Sequence, residues 1–316
     1  MRMPTATTSP RSIVLDWGTT TFRAVLVDGA GAILDRIETQ DGIQSVPKSG
    51  FEPVLARAVA PWRAAHGLLP IYAAGMIGSR NGWVEMPYVE TPAGIEALAR
   101  AVRRVGLADG GSVTFVPGVT DMSVKPFPDV MRGEETQLLG LGRARDMTGV
   151  LPGTHCKWAR IEDGLIARFR TFVTGELFAV LSRHSFIAQM ARPQAQPDWA
   201  AFGRGLDSAR DRAEAPGLLS RLFSVRTGWL AGKLGPEEVS DYLSGLVLGC
   251  EFREVAELGW FEPGAQVTIV GTDLLVERYR RAALSFGLEP RQGPLDAAVR
   301  GCLAIAAIVE GLAHGS

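Results

Sequence analysis

Cysteine is scarce in this chain: Cys156, Cys250 and Cys302 are the whole supply in 316 residues. Three widely spaced thiols make neither a disulfide framework nor a paired-cysteine metal ribbon, and they fit a reducing, cytoplasmic compartment. An excess of one charge sign is missing too. The formal net charge is −1, and the pairs Arg103-Arg104 and Arg280-Arg281 read as solvated helix faces, so nucleic acid is not an expected partner. No apolar run reaches the ~20 residues of a membrane helix. The longest, Ala297 to Leu312, carries Arg300 and Glu310 and reads as a buried globular helix. The opening MRMPTATTSPR lacks the apolar stretch of a signal peptide and is expected to be a mobile tail over 1–11. What remains is 46% hydrophobic and 21% charged, enough for two domains with real cores.

The chain does contain an internal repeat. Gly18-Thr19 and Asp28-Gly29 return as Gly153-Thr154 and Asp163-Gly164, all offset by 135 residues. Each segment reads as strand, Gly-Thr turn, strand, Asp-Gly hairpin and strand. Duplication predicts two similar α/β domains, over 12–145 and 146–316, with a boundary in Arg145 to Thr148. In the first half, strands are expected at Ile13–Leu15, Arg23–Val27, Ala32–Thr39, Ile71–Ala74 and Val113–Val116. Helices are expected over Phe51–Ala65, from Thr91-Pro92 through Val105, and from near Gly133. In the second half, helices are expected over Leu177–Gln189, across Asp198–Leu258, over Leu274–Ser285 and over Ala297–Leu312, with a strand at Val267–Val270.

In DWGTT, Asp16 ends a buried strand, so its carboxylate emerges at the sheet edge. Gly18 permits close backbone approach, and Thr19 and Thr20 offer amides and hydroxyls to phosphate oxygens. A carboxylate beside phosphate needs a cation between them, which makes Asp16 a water-mediated anchor for Mg²⁺. A plain hairpin is the competing explanation. The second copy, PGTHCKW, strengthens the phosphate reading through Gly153 and Thr154. Pro152 stands there in place of Trp17 and no aspartate precedes it, so only the first half supplies a metal anchor. Two facing Gly-Thr turns can grip a polyphosphate from both sides.

DWGTTTFRAVLVD resembles the first phosphate motif of the acetate/sugar kinase, heat-shock-protein and actin superfamily. AAGMIGSRNGWVEMPYVETPAG, VMRGEETQLLG, LPGTHCKWARI and FVTGELFAVLSRHS resemble, in this order, blocks of the 2-dehydro-3-deoxygalactonokinase family. The resemblance runs from about Ile13 to Leu312. It implies two ribonuclease-H-like domains, each a mixed sheet flanked by helices, with a cleft between them. It also implies an ATP- and Mg²⁺-dependent kinase that phosphorylates the terminal hydroxyl of 2-dehydro-3-deoxygalactonate, in galactonate catabolism. The partners are then small molecules, the sugar acid and ATP, with no membrane; a homodimer is one open arrangement.

That substrate needs a cation for its carboxylate, donors for its keto group and an aromatic wall. The glycine-rich loop with Met76, Gly78, Ser79, Arg80 and Trp83 offers them: Arg80 as clamp, Ser79 as donor, Trp83 with Tyr88 as wall. A surface Arg80 and a core Trp83 are the competing assignment. Thr174-Gly175-Glu176 opens a helix, with Thr174 as a cap; the resemblance places Thr174 and Glu176 toward the substrate. For the base, the opening Arg132-Gly133-Glu134-Glu135 favours Glu134, with Glu135 a close second, Asp121 and Asp129 as outsiders, and Arg132 as a phosphate or substrate contact. Acidic residues also suit a first helical turn with no catalytic role. Lys157 is either a γ-phosphate contact or an exposed strand lysine. His155-Cys156 cannot form a nucleophilic pair, because adjacent strand residues face opposite ways. Gly271 and Thr272, in VTIVGTDLLVERY, are expected beside the adenine, although relatives in the superfamily show a double glycine there. A polyphosphate or nucleotide phosphatase, suggested by RGEE, and a non-catalytic sugar sensor are the alternatives.

Overall fold

In the first half, apolar alternation and turn chemistry produce a three-stranded meander closed onto a parallel pair. The computed structural model describes residues 9–142, 146–211 and 217–314. Most of the expected tail, residues 1–8, and the boundary residue Arg145 lie outside the described residues. Strand β1 (Pro10–Trp17) begins inside the remainder of that tail and pairs antiparallel with β2 (Phe22–Asp28), which pairs antiparallel with β3 (Ile33–Thr39). Helix α1 (Phe51–His66) leads to β4 (Ile71–Ala74), parallel to β1. There follow β5 (Tyr88–Glu90), α2 (Ile95–Arg100), β6 (Arg103–Gly106), β7 (Ser112–Phe115), β8 (Gly118–Asp121), β9 (Asp129–Met131) and α3 (Glu134–Leu139). The main sheet has the order β3-β2-β1-β4-β7-β6, and a small sheet has the order β5-β8-β9. Central β1 is covered on both faces, so Ile13 to Leu15 form an unbroken apolar run.

The second half contains β10 (Met147–Leu151), β11 (Cys156–Glu162), β12 (Leu165–Phe172), α4 (Thr174–His184), α5 (Trp199–Arg210), α6 (Leu218–Leu230) and α7 (Val239–Glu257). It closes with β13 (Gln266–Ile269), α8 (Asp273–Ser285), β14 (Glu289–Gln292) and α9 (Ala297–His314). Its sheet runs β12-β11-β10-β13-β14, with β10, β13 and β14 parallel. Strand for strand this repeats β3-β2-β1-β4-β7, the topological counterpart of the duplicated turns. At the repeated hairpin, Asp163 (φ 49°) and Gly164 (φ 78°) are both left-handed, as a two-residue primed turn requires.

The described residues group into two compact units, 1–146 with 159–169 and 294–316, and 147–158 with 170–293. Each has its own core. In the first, Trp17 packs edge-on against Phe22 at 4.6 Å and Phe51 at 5.5 Å. In the second, Trp158 meets Phe252 at 5.0 Å and stacks on Phe261 at 5.9 Å. Burying each such ring stabilises by roughly 1.5–3 kcal/mol. Closing helix α9 belongs to the first unit and crosses α3 closely: a Cβ on Gly140 would lie 1.8 Å from the Ala297 carbonyl oxygen. Among the described residues no helix is long and apolar enough to cross a membrane.

Two expected helices are corrected. Thr91-Pro92 does not start a helix running to Val105; α2 covers only Ile95–Arg100 and Arg103–Gly106 is a strand. Ala93 exchanges both backbone hydrogen bonds with Ile166, which holds the preceding segment extended and moves the cap to Gly94. Helix α4 begins at Thr174, three residues before Leu177, and Val173 takes the N-cap. The Thr174 hydroxyl donates to Glu251 instead of capping.

Candidate active site

Asp16 pairs with Ala74 at the carboxyl ends of parallel β1 and β4, the edge where open α/β sheets bind ligands. The chain turns just beyond at Gly75, with φ +92°. A Cβ on Gly75 would stand 3.3 Å from Asp16 Oδ1 and 2.9 Å from the Trp17 carbonyl oxygen. Gly133, φ +109°, would put its Cβ 3.1 Å from Gly75 Cα. Two glycines thus let the start of α3 close on the loop after β4, and bring Asp16, the 75–79 segment and Arg132 to Glu135 into one cluster. Any side chain at either position would separate them.

The Asp16 carboxylate is half-buried, with Arg23 Nη1 at 3.3 Å. Poor solvation pushes its pKa up and Arg23 offsets part of that. An incompletely neutralised carboxylate at a strand edge suits a cation. Among the described residues no three His, Cys, Asp or Glu converge as a metal cage, so the residues fit an ion carried mainly by phosphate and water.

Gly18, Thr19 and Thr20 form a braced turn. Their carbonyls accept from Ile43, Gln44 and Gly42 N–H at 3.1, 3.1 and 3.2 Å. Each following peptide N–H points opposite to its carbonyl, so the amides of Thr19, Thr20 and Thr21 face away from this strap. Gly42 fits so tightly that a Cβ would lie 2.2 Å from Thr20 C. In the second unit the construction recurs. Glu176 N–H donates to the Thr154 carbonyl at 2.9 Å, and a Cβ on Gly175 would lie 2.2 Å from the Gly153 carbonyl oxygen. Here the α4 start acts as strap, and Glu176 Oε2 lies 2.7 Å from His155 Nε2.

At the start of α3 the two glutamates differ. Glu135 is fully buried; its Oε2 accepts Gly133 N–H at 2.6 Å and its Oε1 has no partner. Burial, then the charge of Glu134, pushes its pKa up to about 8, which favours the protonated form far above the usual carboxylate range. Glu134 is half-buried, and its Oε2 accepts Arg132 N–H at 3.0 Å. The distinction favours Glu134 as a proton acceptor. Asp121 is structural: Oδ1 accepts from the Ser123 amide and hydroxyl at 2.9 and 2.6 Å, and Oδ2 from Phe169 N–H at 3.1 Å. Asp129 Oδ1 accepts its neighbour Val130 N–H at 2.8 Å.

The glycine-rich loop is divided in its roles. Arg80 is 86% exposed and pairs with Glu85 at 3.5 Å. Trp83 stacks on Phe51 at 6.4 Å and meets Phe115 edge-on at 5.6 Å, as part of the first core, against which Met76 also packs. Gly78 instead faces Arg132: a Cβ there would be 3.0 Å from Arg132 Nη1. Ser79 Oγ is buried without a partner.

In the second unit Lys157 is a buried residue of β11, not an exposed strand lysine. Gly271 lies beside Pro152, just before the second Gly-Thr turn, and Thr272 takes the N-cap of α8 without a side-chain hydrogen bond. A small recess there is lined by Gly153, Thr174, Gly175, Phe178, Leu275 and Arg278, among others. Buried Glu251 was not foreseen from sequence. It accepts from Trp158 Nε1 at 2.6 Å, Tyr279 Oη at 2.9 Å and Thr174 Oγ1, and burial raises its pKa. A lone glutamate inside an apolar helix pattern was its only sequence signal.

Residues 16–306 match the family model described as 2-keto-3-deoxy-galactonokinase. The chain is 33% identical over 305 residues to the 2-dehydro-3-deoxygalactonokinase of Escherichia coli (strain K12), covering 96% of this chain and 98% of that one. It is 36% identical over 309 residues to the probable 2-dehydro-3-deoxygalactonokinase DgoK1 of Rhizobium meliloti (strain 1021), covering 95% and 98%. The crystal structure of a candidate 2-dehydro-3-deoxygalactonokinase from Sinorhizobium meliloti superposes with a TM-score of 0.83 at 34% identity, covering 95% and 99%. Component A of the Acidaminococcus fermentans (R)-2-hydroxyglutaryl-CoA dehydratase shares the fold alone, with a TM-score of 0.50 at 12% identity over 96% and 98%. With a glycine-lined carboxylate cluster and braced Gly-Thr turns already in place, this match over nearly its whole length shows that the chain belongs to the 2-keto-3-deoxy-galactonokinase family.

Proposed function

We propose that the protein transfers the γ-phosphoryl group of ATP to the terminal hydroxyl of 2-dehydro-3-deoxygalactonate, giving the 6-phosphate and ADP in the cytoplasm. The observation that carries this reading is the convergence of Asp16, Gly75 and the Gly133-Glu134 start of α3. Phosphoryl transfer needs charge neutralisation, an in-line nucleophile and an acceptor for its proton. The amides of Thr19 and Thr20 in one turn, and Gly153 and Thr154 in the other, offer donors to phosphate oxygens. Asp16 would hold Mg²⁺, which would neutralise phosphate charge.

Glu134 accepts the proton of the terminal hydroxyl as its oxygen bonds to the γ-phosphorus; the bond from that phosphorus to the bridging oxygen breaks, and ADP leaves with the electron pair. Arg132 contacts phosphate or substrate. Gly78 and Ser79 approach the sugar acid, with Met76, Trp83 and Arg80 shaping their loop, and Thr174 and Glu176 brace the second turn. Lys157, Gly271 and Thr272 serve the nucleotide. A coupled ADP-release assay against a panel of 2-keto-3-deoxy sugar acids tests the reading. ADP release that requires the galacto-configured acid is expected. ATP hydrolysis indifferent to every acid would replace it with a phosphatase, and sugar binding without ADP release with a sensor.

A further inference from the structure

Arg132 is the least compensated cation of the site. Its side chain is more than nine-tenths buried. Nη2 donates to the Met86 carbonyl at 2.8 Å, and the guanidinium stacks on the Tyr88 ring at 4.3 Å. Nε and Nη1 are buried with no hydrogen-bond partner, and no carboxylate among the described residues forms a salt bridge with this arginine. Glu135, close in sequence, is fully buried and its pKa is pushed up by burial, with Arg132 only a minor offsetting charge. Burying a guanidinium with two idle nitrogens costs several kcal/mol unless an anion completes it. The Tyr88 platform, the Met86 anchor and the Gly78 clearance fix its plane and leave Nε and Nη1 without partners.

We infer that Arg132, not Arg80, binds the carboxylate of the sugar acid through an unpartnered guanidinium N–H, with the idle hydroxyl of Ser79 as a further donor. This rests on the kinase reading above and specifies how that site selects acids over neutral sugars. A buried guanidinium N–H makes a charge-assisted hydrogen bond to a carboxylate oxygen. Arg80 is 86% exposed and already paired with Glu85, so water competes for whatever it offers. Tyr88, 41% exposed on edge strand β5, covers one face of the guanidinium. A phosphate contact is the competing role, and it separates kinetically.

The experiment compares wild type, Arg132→Gln and Arg132→Lys, using the sugar acid and its neutral primary amide, with ATP varied independently. Loss of a charge-assisted pair at ~1.5–3 kcal/mol corresponds to a rise of roughly 10- to 150-fold in KM for the acid. KM for ATP stays within ~3-fold and the preference for acid over amide collapses, with Arg132→Lys intermediate. A KM rise for ATP instead, or an undiminished acid preference in Arg132→Gln, overturns the inference while leaving the kinase reading intact. Failure of wild type to release ADP with any acid overturns the kinase reading itself. If both variants unfold, a crystal structure of wild type with the acid decides: a carboxylate oxygen within hydrogen-bond distance of Arg132 Nε or Nη1 supports the inference, and any other location refutes it.

Discussion

Glu135→Gln separates the two glutamates of α3 by stability, without reference to turnover. The wild-type carboxyl is fully buried, and its pKa is pushed from 4.5 to about 8. The folded protein therefore holds this proton more tightly than the unfolded chain, so stability is intact below about pH 4.5 and drains away as pH climbs toward 8. At about 1.4 kcal/mol per pH unit, the loss across that window is on the order of 5 kcal/mol. Glutamine keeps the shape, still accepts from Gly133 N–H, and has no proton to lose. Urea unfolding of the ligand-free protein, followed by tryptophan fluorescence from pH 5 to pH 8, measures the difference. Trp17 and Trp62 lie in the core of the same unit and report the relevant step. The variant should match wild type near pH 5 and exceed it by several kcal/mol at pH 8, as order-of-magnitude linkage requires. Parallel curves over the whole range would mean that Glu135 is ionised when folded, and the ground for preferring Glu134 as base would be gone.

Other expectations concern turnover and binding. Glu134→Gln should lower kcat by ~10²–10⁴ with KM nearly unchanged, against less than ~10-fold for Glu135→Gln; the reverse ranking in steady-state assays reassigns the base. Asp16→Asn should lower turnover and shift Mg²⁺ activation to higher concentration, and an unaltered Mg²⁺ titration removes Asp16 from the metal site. Gly42→Ala places a methyl 2.2 Å from Thr20 C, so the strap and the first turn must part. KM for ATP should rise by ~10-fold if that turn holds phosphate, and wild-type nucleotide kinetics would show that the turn does not.

Sequence alone determined the duplication. A repeated Gly-Thr turn and Asp-Gly hairpin at a constant offset predicted two copies of one sheet, and the matching strand orders show them. Local chemistry suffices there, because a turn dictates its own geometry. It also marked Asp16 and the α3 glutamates, since a carboxylate at a strand end or helix start is legible in one dimension. The short helix α2 and the small sheet β5-β8-β9 were not legible: the Ala93 bridge to Ile166 spans 73 residues and overrides the capping signal of Thr91-Pro92. Tertiary structure alone gives Arg80 and Arg132, and Glu134 and Glu135, different surroundings. Neighbours in the chain share composition and spacing, but water and countercharge are assigned by packing. Burial removes water from Arg132 and Glu135, whereas Arg80 stays exposed beside Glu85 and Glu134 stays half-buried.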